Sequence, residues 1–263
     1  MLSGKNILII GGTTGLGFSA ASAFIDHGAS VTVTGRSESS CTEAQQELGG
    51  NALAIQADAS QEGSTEDVIE QCLHHWGEIH GLYHVAGGSG RKFGDGPLHD
   101  LTLDGWEETL RLNLTSVMLS NRAVIRLFLG QGIGGAVLNM GSVLGFSPSP
   151  TFFSTHAYAA AKSAIIGFSK SIASYYAKEN IRINVIAPAL VDTPMASRAM
   201  QNEDIQRFIK TKQPLEGGRT GLPQDLDAAA SLLMSDQASF ITGQVLIVDG
   251  GWTISEGQYS VGP

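Results

Sequence analysis

Tyr158 and Lys162 are the two residues whose types and spacing most directly indicate acid–base chemistry. They begin an apolar helical segment, and residues four positions apart share one face of a helix, so both side chains are expected to face one cleft. A free tyrosine titrates near ~10 and is a weak base at neutral pH, but a nearby ammonium group favours the phenolate. The pair therefore predicts proton exchange with a bound molecule, although such a spacing also arises by chance.

Two polar residues in apolar surroundings extend this group. Ser142 follows the apolar run 135–140, a predicted strand, where its hydroxyl can orient a substrate carbonyl. Asn113 lies between two leucines of the helical segment 103–129, and a lone amide there indicates a specific hydrogen bond. Each residue also has a plainer interpretation: a turn serine, and a helix kink or a satisfied core amide.

A glycine-rich turn near the N-terminus has the composition of a phosphate-binding turn. Gly11, Gly15 and Gly17 lie between a β-branched run and a helical pattern. Glycines there let the backbone approach a pyrophosphate, whose charge the N-terminus of the next helix stabilises. The turn therefore predicts a bound dinucleotide, whereas in isolation it would indicate no more than a flexible connection.

The residues after the next predicted strand indicate which dinucleotide is bound. An acidic residue there would accept a hydrogen bond from the ribose of NAD, but positions 35 and 36 hold glycine and arginine. Arg36 can instead pair with a 2′-phosphate, which favours NADP (as NADPH). A surface arginine, or one stacked on the adenine of NAD, is the alternative.

Asp58, after the third strand, can accept a hydrogen bond from the adenine amino group or act as a loop acid or helix cap.

Short β-branched runs alternate with helical segments along the chain. Strands this apolar, each followed by a helix, are typical of a parallel sheet buried on both faces. We therefore predict an α/β fold: a single doubly wound Rossmann domain over residues 1–263, with a parallel seven-stranded sheet flanked by helices. The predicted strands are 6–10, 31–34, 52–56, 81–85, 135–140, 181–186 and 244–248.

Composition excludes several classes of function. The 263 residues carry a net charge of −9, which disfavours nucleic acid and anionic membranes as partners. No apolar run is long enough for a membrane span or a signal-peptide core, so a cytoplasmic protein is expected. Cys41 and Cys72 have no metal-binding spacing, and no metal is expected.

In this order the motifs resemble the short-chain dehydrogenase/reductase family, over nearly the whole chain from Ile7 to about Trp252. The glycine pattern matches that of the family, and so does the segment 240–251. The family's catalytic tetrad is matched residue by residue by Asn113, Ser142, Tyr158 and Lys162.

The resemblance implies the role of each residue. Tyr158 exchanges a proton with the substrate oxygen while hydride passes to or from the nicotinamide, and Lys162 lowers the tyrosine pKa and binds the nicotinamide ribose. Ser142 polarises the carbonyl, Asn113 holds a water of the proton relay, and Thr193 contacts the nicotinamide amide. The cofactor-binding residues expected in all are Gly11, Thr13, Thr14, Gly15, Leu16, Gly17, Arg36, Ser37, Asp58, Ala59, Ala86, Gly87, Tyr158, Lys162, Pro188, Ala189, Val191 and Thr193.

Two departures from the family pattern stand near these residues. His84 and Val85 replace two asparagines, and a satisfied structural histidine is favoured there over a titrating one. Ser142 and Tyr158 are sixteen residues apart, a few more than is typical of the family. The extra residues 148–153 are expected to change the wall of the substrate pocket and leave the mechanism unaltered.

The substrate is expected to contact the loops 88–96, 143–156 and 193–215, which the fold constrains least. The proposed contacts are Ser142, Leu144, Phe152, His156 and Met195. Apolar residues dominate these loops, which favours a hydrophobic ketone or secondary alcohol, although several of them could simply pack the loops onto the core. Arg91, Lys92 and Arg198 could bind a carboxylate or a carrier phosphate, or could be solvated.

Three functions are compatible with this sequence. The first is an NADP-dependent oxidoreductase of the 3-oxoacyl or small-ketone reductase type. The second is an NAD-dependent alcohol, sugar or steroid dehydrogenase, and the third is a non-catalytic dinucleotide-sensing protein. The resemblance also implies a homotetramer, or a homodimer, with interfaces on the helices 103–129 and 158–178.

Overall fold

The predicted strands pair into one parallel sheet in the order β3-β2-β1-β4-β5-β6-β7, which confirms the fold class. The computed structural model describes residues 1–257. Because the strand order reverses between β1 and β4, a crevice opens at the carboxyl ends of these strands. The strands are β1 Asn6–Ile10, β2 Ser30–Gly35, β3 Ala52–Gln56, β4 Gly81–His84, β5 Gly135–Met140, β6 Ile181–Pro188 and β7 Val245–Val248.

Helices cover both faces of the sheet. Ile7 and Ile9 of β1 pack among α1 and α9, whereas Leu8 and Ile10 pack among α3 and α5. This alternation follows from the two-residue period of a strand and gives the sheet a core on each side. The helices are α1 Gly15–Asp26, α2 Glu38–Leu48, α3 Ser64–Trp76, α4 Leu103–Leu110, α5 Ser116–Gln131, α6 His156–Tyr176, α7 Ser197–Met200, α8 Glu203–Lys212 and α9 Asp227–Met234.

The predicted helix 103–129 is divided. A single π-helical turn, Arg111–Thr115, lies between α4 and α5 and carries Asn113 at its centre. The amide nitrogen of Asn113 donates to the carbonyl of Thr109, 2.9 Å away, one turn earlier. Such widened turns are common at functional sites, and this one turns the asparagine toward the crevice side of the helix.

A third apolar cluster lies outside the two sheet faces. Trp252 is buried there, with the ring of Phe153 5.7 Å away and that of Phe208 5.8 Å away. It joins the loop after β5, helix α8 and the C-terminal region. Within residues 1–257 no helix has the length and apolar character needed to cross a membrane.

Candidate active site

A cavity of about 730 Å³ lies at the carboxyl ends of the strands, where the fold places a ligand. All four residues of the predicted tetrad line it. The predicted cofactor-binding residues that line it are Gly11, Thr13, Thr14, Gly15, Leu16, Arg36, Ser37, Asp58, Ala59, Ala86, Gly87, Tyr158, Lys162, Pro188, Ala189, Val191 and Thr193.

Gly17 does not line the cavity, and its place in the turn has another reason. A Cβ atom on Gly17 would overlap the carbonyl oxygen of Gly11, so this glycine lets α1 pack closely against the end of β1. Gly11 has a φ of +84°, and a Cβ there would lie 2.7 Å from the nitrogen of Ala86. The turn is therefore a bare backbone surface beside the cavity.

The electrostatics of this turn fit a pyrophosphate. Helix α1 begins at Gly15 and has no acidic residue in its first turn. The amide groups and the positive end of the helix dipole thus face the cavity without a competing carboxylate of that turn. The residues present can hold the phosphates of a dinucleotide.

Arg36 lies at the end of the cavity nearest β2. Its side chain is exposed, and Ser37 and Ser40 line the cavity beside it. The hydroxyl of Ser40 donates to the hydroxyl oxygen of Thr13 at 3.3 Å, which joins this region to the glycine-rich turn. One arginine and two serine hydroxyls are a suitable set of donors for a phosphate.

Asp58 is held by its own loop. Its Oδ1 accepts from the amide of Ser60 at 3.0 Å and from the Ser60 hydroxyl at 2.6 Å. Burial acts to raise the pKa of Asp58, but these hydrogen bonds, with the charges of Arg111 and Arg36, lower it overall. The carboxylate therefore stays charged, and Asp58 lines the cavity.

Lys162 is the most deeply buried charge of the site. Its Nζ donates to the carbonyl oxygen of Met140, the last residue of β5, at 2.8 Å. It lies 5.5 Å from the centre of the Tyr158 ring. Desolvation lowers the pKa of Lys162 to about 8, so the ammonium form prevails at neutral pH.

Tyr158 differs from the expectation of an easily ionised phenol. Burial raises the pKa of Tyr158 to about 12, and a hydrogen bond with Ser142 offsets only part of that effect. Desolvation dominates because a buried phenolate loses the hydration that stabilises its charge in water. The protein's own groups therefore keep Tyr158 protonated, as a proton donor.

Asn113 is engaged on both sides of its amide. Its Nδ2 donates to the carbonyl of Gly88 at 2.9 Å as well as to Thr109, and its Oδ1 accepts from the amide of Gly88 at 3.2 Å. A Cβ on Gly87 would lie 2.6 Å from that Oδ1 and 3.7 Å from the Nζ of Lys162. Asn113 thus fixes the loop after β4 against the lysine.

His84 is a structural residue. Its Nδ1 lies 2.7 Å from the hydroxyl of Ser120, and its Nε2 lies 3.2 Å from the carbonyl of Ala86 and 3.4 Å from the hydroxyl of Ser116. Because a carbonyl only accepts, we assign the ring proton to Nε2. Burial, with a smaller effect of Lys162, lowers the pKa of His84 to about 3, so the ring is neutral.

The substrate contacts were predicted only in part. Ser142, Leu144 and Met195 line the cavity, but Phe152 and His156 do not. The ring of Phe152 packs 5.1 Å from that of Phe208. Helix α6 begins at His156 rather than Tyr158, so the two side chains differ by roughly 200° around the helix and His156 is exposed.

Other residues form the cavity wall where Phe152 and His156 were expected. Phe153, Thr155 and Trp252 line the cavity. Four other apolar residues of the predicted substrate loops do not: Phe93, Phe146, Met200 and Phe208. The sequence could not predict that Trp252 lines the cavity, because this residue follows the last strand and is brought to the site only by the fold.

Asp95 is a functional residue that the sequence did not indicate. It is buried, its Oδ1 accepts from the amide of Ala157 and its Oδ2 from the amide of Tyr158, both at 3.0 Å. A carboxylate at the N-terminus of α6 satisfies two otherwise unpaired amides and opposes the helix dipole. Asp95 therefore fixes the helix turn that carries Tyr158.

We predict that Asp95→Ala loses stability and activity together. Removal of the cap is expected to cost about 1–2 kcal/mol in unfolding free energy, and displacement of Tyr158 to lower kcat/KM for a ketone by roughly tenfold or more. Thermal melting and steady-state kinetics measure both effects. The control is Asp100→Ala, an exposed acid of the same loop. Values for Asp95→Ala within twofold of that control would contradict the capping role.

Comparison with known proteins agrees with this geometry. Residues 11–253 match the family model described as Enoyl-(Acyl carrier protein) reductase. The chain is 34% identical to 3-oxoacyl-(acyl-carrier-protein) reductase FabG of Chlamydia muridarum, over 95% of this chain and 98% of the relative. It is 30% identical to 3beta-hydroxysteroid dehydrogenase 2 of Eggerthella lenta, over 96% of each.

Solved structures extend the likeness to three dimensions. A short-chain type dehydrogenase/reductase from Mycobacterium ulcerans aligns with a TM-score of 0.89 and 29% identity, over 97% of this chain and 92% of that one. A 3-ketoacyl-(acyl-carrier-protein) reductase from Brucella melitensis, complexed with NADH, aligns with a TM-score of 0.85 and 28% identity, over 97% and 100%. The chain belongs to the short-chain dehydrogenase/reductase family and is an NAD(P)-dependent oxidoreductase.

Proposed function

We propose that this protein is an NADPH-dependent carbonyl reductase in which Tyr158 is the proton donor. The observation that carries the proposal is the meeting of Tyr158, Ser142 and Lys162 in one cavity, with the Nζ of Lys162 5.5 Å from the centre of the Tyr158 ring. The burial that raises the pKa of Tyr158 to about 12 supports it. A tyrosine held as a phenol suits the protonation of a substrate oxygen, which is the reductive direction. The reverse reaction requires the phenolate, and a bound positive charge would have to stabilise it.

The roles follow from the positions of these groups. The Ser142 hydroxyl orients the substrate carbonyl, and the phenol of Tyr158 donates its proton to the carbonyl oxygen. A bound nicotinamide supplies the hydride. Lys162, held by Met140, has two further N–H groups, which would be available to the cofactor ribose.

We place Asn113 in the proton relay through its oxygen. Both hydrogens of its amide are donated to carbonyls, those of Gly88 and Thr109, so it cannot donate to a water as well. The second lone pair of Oδ1 can still accept from a relay water. Its larger contribution is to hold Gly87 and Gly88 beside Lys162.

We predict that Tyr158→Phe lowers kcat for ketone reduction by at least a hundredfold, because the variant lacks the proton donor. The dissociation constant of the cofactor is expected to stay within about threefold of wild type, since the ring and its packing are retained. Absorbance of the reduced nicotinamide gives the rate, and calorimetry gives the affinity. Tyr175→Phe, an exposed tyrosine of the same helix, is the control. Turnover by Tyr158→Phe within threefold of wild type would exclude the mechanism.

The preference for NADPH rests on the phosphate-sized donor set at the end of β2. Arg36, Ser37 and Ser40 line that end of the cavity, and the described residues place no carboxylate within salt-bridge distance of Arg36. A guanidinium free of a protein partner is well suited to a 2′-phosphate.

We predict that Arg36→Ala weakens NADPH binding by at least tenfold and changes NADH binding by less than threefold. The reason is that only NADPH carries the 2′-phosphate that the guanidinium would pair with. Calorimetric titration of both cofactors into both proteins makes the comparison, with the exposed Arg126→Ala as the control for net charge. If the wild-type protein bound NADH tenfold more tightly than NADPH, the assignment would be wrong.

A second candidate is an NAD-dependent alcohol or steroid dehydrogenase. Two observations favour it: the relatives from Eggerthella lenta are 3beta-hydroxysteroid dehydrogenases, and the Brucella melitensis structure holds NADH. A panel of ketones and secondary alcohols, assayed with both cofactors, separates the two. A non-catalytic sensor is disfavoured because the tetrad converges on one cavity, which sensing alone does not require.

We extend the proposal to the organisation of the chain. One cofactor-binding domain would span residues 1–263, with substrate loops at 88–96, 143–156 and 193–215, in a cytoplasmic homotetramer. Exposed apolar residues on and beside edge strand β7, namely Phe240, Leu246 and Ile247, favour association of copies. On α6, Ala164 is exposed whereas Ala161 is in the core, so only the former can lie in an interface. Analytical ultracentrifugation would establish the number of copies.

A further inference from the structure

Two arginines that line the cavity meet at one carbonyl oxygen. Nη2 of Arg91 lies 3.4 Å from the oxygen of Phe152, and Nη2 of Arg198 lies 3.1 Å from the same oxygen. Both arginines line the cavity, and so does the neighbouring Lys92. Arg91 belongs to the loop after β4 and Arg198 to α7 after β6, so all three substrate loops contribute to this point.

The two positive charges are not neutralised by a carboxylate. Among residues 1–257 neither guanidinium has a carboxylate oxygen within 4.0 Å, whereas Arg111, Arg122 and Arg219 each do. The acid whose charge acts on Arg91 is Asp95, but its two oxygens accept from the amides of Ala157 and Tyr158, which hold this carboxylate at the start of α6 rather than against the guanidinium.

The local electrostatics of the pair are unfavourable as they stand. Burial lowers the pKa of Arg91, and the charge of Arg198 lowers it further, while Asp95 raises it. A single carbonyl oxygen satisfies only one N–H of each guanidinium, which has five. The protein has a net charge of −9, yet these two adjoining arginines have no carboxylate partner among residues 1–257.

The pair lies on the substrate side of the cavity. The groups suited to the cofactor phosphates follow β1 and β2, and Ser142 and Tyr158 follow β5. Arg91 follows β4 and Arg198 follows β6, the two strands that flank β5 in the sheet. The two arginines therefore come from the loops on either side of the strand that precedes Ser142, and they are separated in the sheet order from Arg36.

We propose that Arg91 and Arg198 bind an anionic oxygen group of the substrate, a carboxylate or a phosphate, while its carbonyl meets Ser142 and Tyr158. Guanidinium groups pair with both anions through two parallel hydrogen bonds, which fixes orientation as well as position. The substrate is then an oxo compound with an apolar body and an anionic end. This assignment rests on the proposed reductase function and narrows its substrate class.

The test compares matched ligands that differ only in charge. One pair is 4-oxocyclohexanecarboxylate and its methyl ester; the other is the acetoacetyl thioester of phosphopantetheine and that of pantetheine. Calorimetry measures their binding to wild-type protein saturated with the oxidised form of whichever cofactor binds more tightly. A ketone cannot be reduced under these conditions, so the result does not depend on turnover.

The anionic member of at least one pair is expected to bind at least tenfold more tightly than its neutral partner. Which pair shows the preference distinguishes a free carboxylate from a carrier phosphate. In Arg91→Gln and Arg198→Gln the preference is expected to fall below threefold. Arg126→Gln, which removes an exposed arginine outside the cavity, should leave it unchanged.

A purely structural role for the arginines, as ties between the loops, gives a different result. It would weaken the binding of charged and neutral ligands equally and leave their ratio unchanged. Arg91→Lys and Arg198→Lys keep the positive charge but lose the planar, bidentate guanidinium, so we expect of them a preference between those of the wild type and the glutamine variants. These variants provide the test if the glutamine variants fold poorly. Absence of a preference in both ligand pairs, or a preference that survives in the variants, overturns the proposal.

An assay of ketone reduction tests the proposed function independently of the anion site. If the esters are reduced but the acids are not favoured, the reductase function stands and the anion site falls. If the acid binds tightly but neither acid nor ester is reduced, the anion site stands and the reductase function falls.

Discussion

The hydrogen bond from Lys162 to the carbonyl of Met140 is the interaction on which the site depends. It joins the helix that carries Tyr158 to the end of the interior strand β5 and fixes a buried ammonium group. The other groups are arranged around that charge. Gly87 has no side chain where a Cβ would approach both Lys162 and Asn113, and the ring of His84 is kept neutral partly by the same charge.

Burial and charge act in opposite directions on the reacting tyrosine. Lysine proximity alone would lower the pKa of Tyr158, but desolvation raises it further than any neighbour lowers it. The same desolvation lowers the pKa of Lys162 to about 8. The two shifts together leave a neutral phenol beside a charged amine at neutral pH, which is the pairing that the proposed reductase function requires.

The loops contribute the remaining precision. Asp95, from the loop after β4, caps the helix that carries Tyr158, and Asn113 holds the start of that same loop through Gly88. One loop is thus fixed both to the π-helical turn that bears Asn113 and to the helix that bears Tyr158 and Lys162. Three residues before Gly87, His84 replaces a family asparagine and satisfies the end of β4 through Ser120 and Ala86.

The sequence by itself determined the sheet, because the strands of a parallel sheet buried on both faces must be apolar runs. It also determined the turn after β1, where a side chain at Gly11 would collide with the backbone. It also brought Tyr158, Lys162, Ser142 and Asn113 to one edge, since strand ends of a parallel sheet converge. It did not determine the π-helical turn at Asn113, where the side-chain amide donates to the carbonyl of Thr109. Nor did it determine the start of α6, which is capped by Asp95 from more than sixty residues away.

Only the tertiary structure decided the state of Tyr158 and the meeting of Arg91 with Arg198. A pKa depends on how much water the folded chain removes, and that quantity has no period or motif in the sequence. The arginines lie on loops after different strands, and their common acceptor at Phe152 belongs to a third. Local patterns place residues on elements, whereas desolvation and contacts between loops exist only once the elements have packed.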